Sequence, residues 1–134
     1  MALWTGKVWQ KLVLDGRGGS AGRTNDDVSG PVSACVSGAG SNQILHVFYT
    51  DLTTKDLHYL NYNSQKMNYA IVDGNGSSVQ PYDQAVRTRT ASDVSVSNAC
   101  ASTSAGIQVF YRDENTGSSL RLRGNLLAAS GLTN

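Results

Sequence analysis

Two stretches of this chain, LHVFYTDLTTKDLHYLNY beginning at Leu45 and IQVFYRDENTGSSLRLRG beginning at Ile107, share one pattern. Each runs as an alternating strand through Val-Phe-Tyr, reaches an Asp after one polar residue, forms a short loop and begins a second alternating run. A repeat with a period of about 60 residues is typical of propellers and solenoids, in which each repeat is one supersecondary unit. This repeat constrains the fold more than any other feature of the sequence.

Further matched positions extend the repeat in both directions along the chain. Cys35, within SAC, corresponds to Cys100, within NAC, and the LDG that ends at Gly16 corresponds to the VDG that ends at Gly74. Each repeat is therefore predicted to contain four strands. These are a strand of small residues, the Val-Phe-Tyr strand, a second alternating strand and an outer strand that closes on Asp-Gly.

The composition favours strands over helices. Only one of the ten acidic residues is a glutamate, and Ser, Thr, Asn, Gly, Val and Tyr are frequent, which suits strands and turns. Period-2 alternation bounded by turn residues predicts short antiparallel strands, so the fold is predicted to be all-β. The predicted strands are residues 7–15, 31–37, 44–50, 57–63, 66–73, 94–102, 106–112 and 119–128.

The phase of the repeat predicts how the chain is organised. Residues 28–74 form a first complete blade of four strands, whereas residues 92–134 form a second blade that stops after three. The missing strand matches residues 1–16, which predicts a closing strand that pairs with residues 119–128 in the same chain or in a neighbour. Residues 1–134 are thus one two-blade unit of a β-propeller.

A two-blade unit predicts an oligomer. Two blades cannot close a ring, and each would leave a broad apolar face in water. Six blades from a trimer give the simplest ring, with eight blades from four chains as the alternative.

These motifs resemble the fungal fucose-specific lectins, which are six-bladed β-propellers with short four-stranded blades. LHVFYTD, IQVFYRD, the strands that follow them and the closing LDG and VDG carry the resemblance. Bacterial relatives of that family include two-blade chains that trimerise. The resemblance implies a carbohydrate-binding lectin whose ring presents several equivalent shallow sites between blades, so that weak single sites give strong avidity on a glycan-coated surface.

The resemblance also implies where a sugar would bind. The family carries Arg on the second strand, at the positions of His46 and Gln108, and Glu on the third strand, near Tyr59 and Leu122; neither blade here retains them. Arg and Glu form charge-assisted hydrogen bonds with sugar hydroxyls, so fucose is not expected and another glycan is left open. Stacking faces and polar contacts are predicted to come from Trp9, His46, Tyr59, Tyr69 and Gln108.

Other classes of function receive little support from the sequence. Charged residues make up 16% of the chain and the net charge is +1, so neither a nucleic acid nor a membrane surface is an expected partner. The two histidines are not spaced like metal ligands, and GRGGSAG lacks the helical pattern of a dinucleotide loop, so no metal or cofactor is predicted. Asp51, Asp73 and Asp113 lie where turns favour Asp, so no enzyme is predicted.

Two further expectations concern an alternative function and the compartment. Without the Arg and the Glu, the chain could instead be a non-catalytic propeller scaffold or protein-interaction module that has lost sugar binding, including a fragment or engineered piece of a longer propeller. The sequence shows no signal peptide or membrane span, which predicts a cytoplasmic protein. Cys35 and Cys100 are then predicted to be free packing residues. The repeated Phe-Tyr pairs are predicted to lie in the core between the blades.

Overall fold

A computed structural model describes residues 1–16, 23–74, 92–115 and 119–124. Apart from a 3₁₀ turn at Gly40–Asn42, the regular structure in these ranges is all strand, so the all-β prediction is confirmed. No helix within them is long and apolar enough to cross a membrane. The strands are β1 Ala2–Trp4, β2 Trp9–Lys11, β3 Val32–Ser37, β4 Ile44–Asp51, β5 Asp56–Tyr62, β6 Met67–Asp73, β7 Asn98–Thr103, β8 Gly106–Asp113 and β9 Ser119–Gly124.

The strands form two larger sheets and one small hairpin. Sheet I has the order β3-β4-β5-β6, sheet II has the order β7-β8-β9, and β1 and β2 form the N-terminal hairpin. Every neighbouring pair is antiparallel. The registers repeat as well: Tyr49 lies opposite the first residue of β3, and Tyr111 lies opposite the first residue of β7. The sequence repeat is therefore a structural repeat of antiparallel sheets.

The main core lies between the two sheets. Strand alternation sends Phe48 toward sheet II and its neighbours Val47 and Tyr49 to the other side of sheet I. We call the side of each sheet that packs on the other its near face, and the opposite side its far face. The two near faces bury one apolar cluster, made of Phe48, Leu57, Tyr59, Val72, Val94, Ile107, Val109 and Tyr111.

The far face of sheet I holds a second, smaller cluster. Its buried members are Val47, Tyr49 and Leu60, and half-buried Leu14 and Val28 pack against them. Of the repeated Phe-Tyr pairs, Phe48 and Tyr111 are buried between the two sheets, and Tyr49 is buried in the smaller cluster. Phe110 is 36% exposed on the far face of sheet II, where the described residues include no further sheet to cover it.

The first strands of the two sheets, β3 and β7, lie next to each other. The Ser33 hydroxyl donates a hydrogen bond to Asn98 Oδ1, and Asn98 Nδ2 donates to the carbonyl oxygen of Pro31 at 3.0 Å. Cys35 and Cys100 pack against the same buried cluster, and neither is in a disulfide. Small residues on these strands therefore let the two sheets approach closely.

The N-terminal segment differs from the single strand predicted for residues 7–15. Only Trp9–Lys11 is strand, and it pairs with β1, because the chain turns back at Gly6, whose φ of +87° suits glycine. In the described part of the chain, β9 pairs with β8 alone, so the predicted pairing with the N-terminal strand is not formed there. Residues 125–128 of the predicted last strand lie outside the described residues.

Candidate functional site

A cleft of about 660 Å³ opens between sheets I and II. It lies at the end of the sheets where the turns joining β3 to β4, β5 to β6 and β7 to β8 come together. Its volume falls in the range of clefts that hold small ligands, about 300–1,000 Å³. The polar side chains along its wall include Ser37, Asn61, Asn63, Gln65, Asn68 and Ser102.

Among the residues that the structure describes, the wall of the cleft carries amides and hydroxyls but no charged side chain. These lining residues are Ser, Thr, Asn, Gln, Gly and Ile. An amide side chain both donates and accepts hydrogen bonds, as does a hydroxyl, whereas a carboxylate only accepts and a guanidinium only donates. The cleft is therefore suited to an uncharged ligand that presents donors and acceptors together.

A chain of hydrogen bonds runs through sheet I behind this wall. Ser37 Oγ lies 2.7 Å from His46 Nε2, and His46 Nδ1 lies 2.7 Å from the Tyr59 hydroxyl. Asn61 Nδ2 donates to the Tyr59 oxygen at 3.4 Å. Asn68 Nδ2 donates to Asn61 Oδ1 at 2.8 Å. The two ends of the chain, Ser37 and Asn68, are both residues of the cleft wall.

The strand register brings these side chains onto one face. His46 on β4 lies opposite Asn61 on β5, and Asn61 lies opposite Asn68 on β6. Side chains of directly opposed residues share a face of the sheet, and residues two positions apart on a strand do so too. This places Ser37 and Tyr59 on the near face beside the other three.

His46 completes this chain of hydrogen bonds in either of its neutral tautomers. With its hydrogen on Nε2, the imidazole accepts from the Tyr59 hydroxyl at Nδ1 and donates to Ser37 Oγ. With its hydrogen on Nδ1, it donates to the Tyr59 oxygen, which also accepts from Asn61, and it accepts the Ser37 hydroxyl hydrogen at Nε2. In the first tautomer the Ser37 hydroxyl hydrogen is left for a ligand in the cleft.

Burial keeps this chain of hydrogen bonds neutral. His46 is 0% exposed, and its desolvation lowers the pKa of the imidazole from 6.5 to about 4. Burial likewise raises the pKa of Tyr59 to about 12. At neutral pH the imidazole is therefore uncharged.

The structure brings together two of the five predicted ligand-binding residues. His46 and Tyr59 are hydrogen-bonded to each other, but both are buried and stand behind the cleft wall rather than on it. They support Ser37 and Asn61, which do line the cleft.

The other three predicted residues lie apart from the cleft. Gln108 is half-buried and points to the far face of sheet II, since its neighbour Ile107 points toward sheet I. The Tyr69 hydroxyl donates to the carbonyl oxygen of Leu14 at 2.8 Å on the far face of sheet I. Trp9 is 68% exposed in the N-terminal hairpin, where its ring packs against Trp4.

The residues that do line the cleft were not among the predicted ligand contacts. Asn61, Asn63, Gln65 and Asn68 all belong to the hairpin of β5 and β6. Four amide side chains within eight residues are a visible signal. In the sequence they have the character of turn residues, and nothing local shows that the β7–β8 turn will face them.

The aspartates considered for catalysis hold turns instead. Asp51 Oδ1 accepts the Thr53 N–H at 2.8 Å, and Asp113 Oδ1 accepts the Asn115 N–H at 3.1 Å. Asp73 accepts from Gly74 N–H and from the Tyr111 hydroxyl. In the described ranges, no group of three or more His, Cys, Asp or Glu residues is placed to hold a metal ion.

No family model, curated protein or solved structure matches this chain. The cleft, the chain of hydrogen bonds behind it and the internal repeat are therefore the features from which its function is inferred.

Proposed function

We propose that this protein is a carbohydrate-binding lectin whose ligand binds in the cleft between sheets I and II. The observation that carries the proposal is the wall of neutral amides and hydroxyls, from Ser37, Asn61, Asn63, Gln65 and Asn68 on sheet I to the β7–β8 turn. Each sugar hydroxyl donates one hydrogen bond and accepts others, and Asn and Gln side chains complement both functions.

The neutral side chains of the described part of this wall indicate the class of glycan. A neutral hydrogen bond contributes about 0.5–1.5 kcal/mol net, roughly half of what a charged partner gives. The ligand is therefore an uncharged glycan held weakly at each site. It is not held through Arg and Glu, as fucose is in the lectins that the sequence resembles. Useful affinity then comes from several sites acting together on a glycan-coated surface.

The proposal includes a ring of several chains. Sheets I and II are two blades of a β-propeller, and three copies of the chain complete a six-bladed ring, with eight blades from four copies as the alternative. Support comes from the repeated register of the two sheets and from the contact between their first strands, β3 and β7. Light scattering on the purified protein at micromolar concentration tests the number of chains.

The protein is proposed to bind without catalysis, because the carboxylates of Asp51 and Asp73 already accept hydrogen bonds from turns and from a tyrosine. The cytoplasmic localisation stays a prediction, and fractionation of cells that express the protein tests it.

A glycan array probed with the purified protein is the first test, followed by titration of the best ligand. Gln65 and Ser104 line the cleft and are exposed, so Gln65→Ala and Ser104→Ala remove wall groups without opening the core. Each is expected to weaken binding about 2- to 10-fold, the equivalent of one neutral hydrogen bond. Asn115→Ala is the matched control, since Asn115 is exposed and lies away from the cleft.

Two outcomes would contradict the proposal. Binding that is unchanged in both cleft variants would place the sugar elsewhere on the protein. Failure of a well-folded protein to bind any glycan on the array would favour the second function, a propeller scaffold or protein-interaction module.

A further inference from the structure

A tyrosine–aspartate hydrogen bond joins the two sheets, and an equivalent hydrogen bond joins the N-terminal segment to sheet I. In the first, the Tyr111 hydroxyl on β8 donates to the Asp73 carboxylate at the end of β6, at 2.5 Å. In the second, the Tyr49 hydroxyl on β4 donates to the Asp15 carboxylate, also at 2.5 Å. Tyr49 and Tyr111 hold the same register position in their sheets. Asp15 is therefore related to sheet I as Asp73 is related to sheet II.

The backbone after the two aspartates matches as well. Gly16 and Gly74 both have a φ of +95°. Their N–H groups donate to Oδ1 of the preceding aspartate at 2.8 Å and 2.9 Å. Before each aspartate stands an apolar residue that packs on the facing sheet, Leu14 in one case and Val72 in the other. Residues 12–16 thus have the contacts of the end of a fourth strand, in a sheet that comes before sheet I.

Sheet II of the same chain is not that preceding sheet. Leu14 packs with Val47 and Leu60 on the far face of sheet I. Sheet II packs on the near face, against Phe48 and Tyr59. Sheet I therefore separates the N-terminal segment from the free edge of sheet II, and the segment cannot reach β9 while it keeps its contact with Tyr49.

The far face of sheet II is equivalent to the near face of sheet I, but in the described residues no second sheet covers it. Phe110 and Leu120 hold the register positions of Phe48 and Leu57, yet they are 36% and 76% exposed where Phe48 and Leu57 are 0% exposed. In the described residues, β9 is also an edge strand, with β8 as its neighbour. An exposed edge next to an exposed apolar face is an unstable surface for a free chain.

A complementary surface lies on the far face of sheet I. Val28 and Leu45 are half-buried there. Their counterparts Val94 and Ile107 are 0% exposed, because they pack against the near face of sheet I. The near face of sheet II covers Phe48 within the chain. The far face of sheet I carries the equivalent residues, and it is only partly covered.

We propose that a second copy of this chain occupies the far face of sheet II and donates its N-terminal segment as the fourth strand beside β9. The contact between sheets I and II is then repeated between sheet II of one copy and sheet I of the next. This inference rests on the ring assembly proposed above and is independent of sugar binding. It assigns the closing strand to a neighbouring chain.

The pairing of β5 with β6 gives the register expected for the donated strand. Leu60 lies opposite Tyr69, and Asn61 lies opposite Asn68. Transferred to the equivalent positions, Lys11 of one copy lies opposite Arg123 of another, and Gln10 lies opposite Gly124. Opposed residues of an antiparallel pair have Cα atoms about 4.5–5.5 Å apart, which a disulfide can span.

The test is a cysteine cross-link in the full-length chain. Lys11→Cys combined with Arg123→Cys is oxidised mildly, and the products are read by non-reducing electrophoresis and intact mass. Lys11→Cys combined with Leu122→Cys is the matched control, because position 122 is one residue out of the expected register. The two single variants report any background from Cys35 and Cys100. Gln10→Cys with Gly124→Cys repeats the test if the first pair folds poorly by circular dichroism.

The expected result is covalent species of two or more chains in the in-register pairs and little in the control. A cross-link at the mass of a single chain would show that the strand closes its own sheet and would overturn the inference. An oligomer by light scattering without the cross-link would reject strand donation and leave the ring standing. A folded monomer without the cross-link would reject both, whereas the glycan array judges sugar binding separately.

Discussion

The buried imidazole of His46 predicts how the stability of this protein depends on pH. His46 is 0% exposed, and desolvation lowers its pKa from 6.5 to about 4 in the folded chain. The unfolded chain binds a proton at this site below pH 6.5, whereas the folded chain does so only near pH 4. The stability linked to His46 is therefore fully present above pH 6.5 and falls as the pH is lowered toward 4.

The size of this loss of stability follows from the lowered pKa of His46. One pKa unit corresponds to 1.36 kcal/mol, so the 2.5 units between 6.5 and about 4 correspond to about 3 kcal/mol when the pH reaches 4. At pH 5 the loss is about 2 kcal/mol. This is a large fraction of the 5–15 kcal/mol that stabilises a typical domain.

Urea unfolding between pH 5 and pH 7.5 measures this loss. All samples are kept at one protein concentration, since the proposed assembly would make stability depend on concentration. His46→Gln keeps a polar side chain but cannot titrate, so its unfolding free energy should vary less over this range, by about 2 kcal/mol. His58→Gln is the control, since His58 lies 3.9 Å from the Asp51 carboxylate and is the other histidine of the chain. If the wild type and His46→Gln show the same pH dependence, the assignment of a buried neutral imidazole is wrong.

Three further predictions concern the core, the thiols and the N-terminal segment. Phe48→Ala should destabilise the chain by about 3–5 kcal/mol, whereas Phe110→Ala should act mainly on the proposed assembly. Denaturation and light scattering of both variants measure this contrast, and an equal loss of folding in the two variants would contradict it. Burial and the neighbouring Cys100 thiol raise the pKa of Cys35 to about 12. Cys35 should therefore alkylate slowly at pH 8 until the protein unfolds, and both cysteines should be recovered free. A disulfide in the intact mass, or rapid labelling of Cys35 in the folded protein, would count against this prediction. Deletion of residues 1–15 should abolish the proposed ring or cause aggregation, as light scattering would show. Trp9→Ala, at a 68% exposed position, should weaken the proposed assembly with little effect on the fold of one chain. Unchanged assembly after the deletion would show that the segment is dispensable.

The sequence predicted the strands of the two sheets well because their signals are local. Alternation through Ile44–Asp51 and Gly106–Asp113 indicates a strand wherever one face is buried, and the loops between strands contain the residues that turns require. The repeat also identified equivalent positions, such as Leu57 and Leu120, which the register of the two sheets confirms. The N-terminal segment was predicted less well, since a run of alternating residues does not show that Gly6 will fold it back into a hairpin.

What only the tertiary structure decided is which side chains meet across the sheets. The sequence predicted that His46 and Tyr59 contact a ligand, whereas in the structure they are hydrogen-bonded to each other and buried behind the cleft wall. Their burial depends on the packing of sheet II, which is distant along the chain. The amide-rich cleft exists because three separate turns come to one end of the two sheets. Likewise, the sequence of residues 1–16 shows a segment that ends in Asp-Gly. That Asp15 meets Tyr49, and on which face of sheet I it does so, depends on long-range packing. Local patterns encode strands because they depend on neighbours one or two residues away, whereas a site between sheets depends on contacts between residues far apart in sequence.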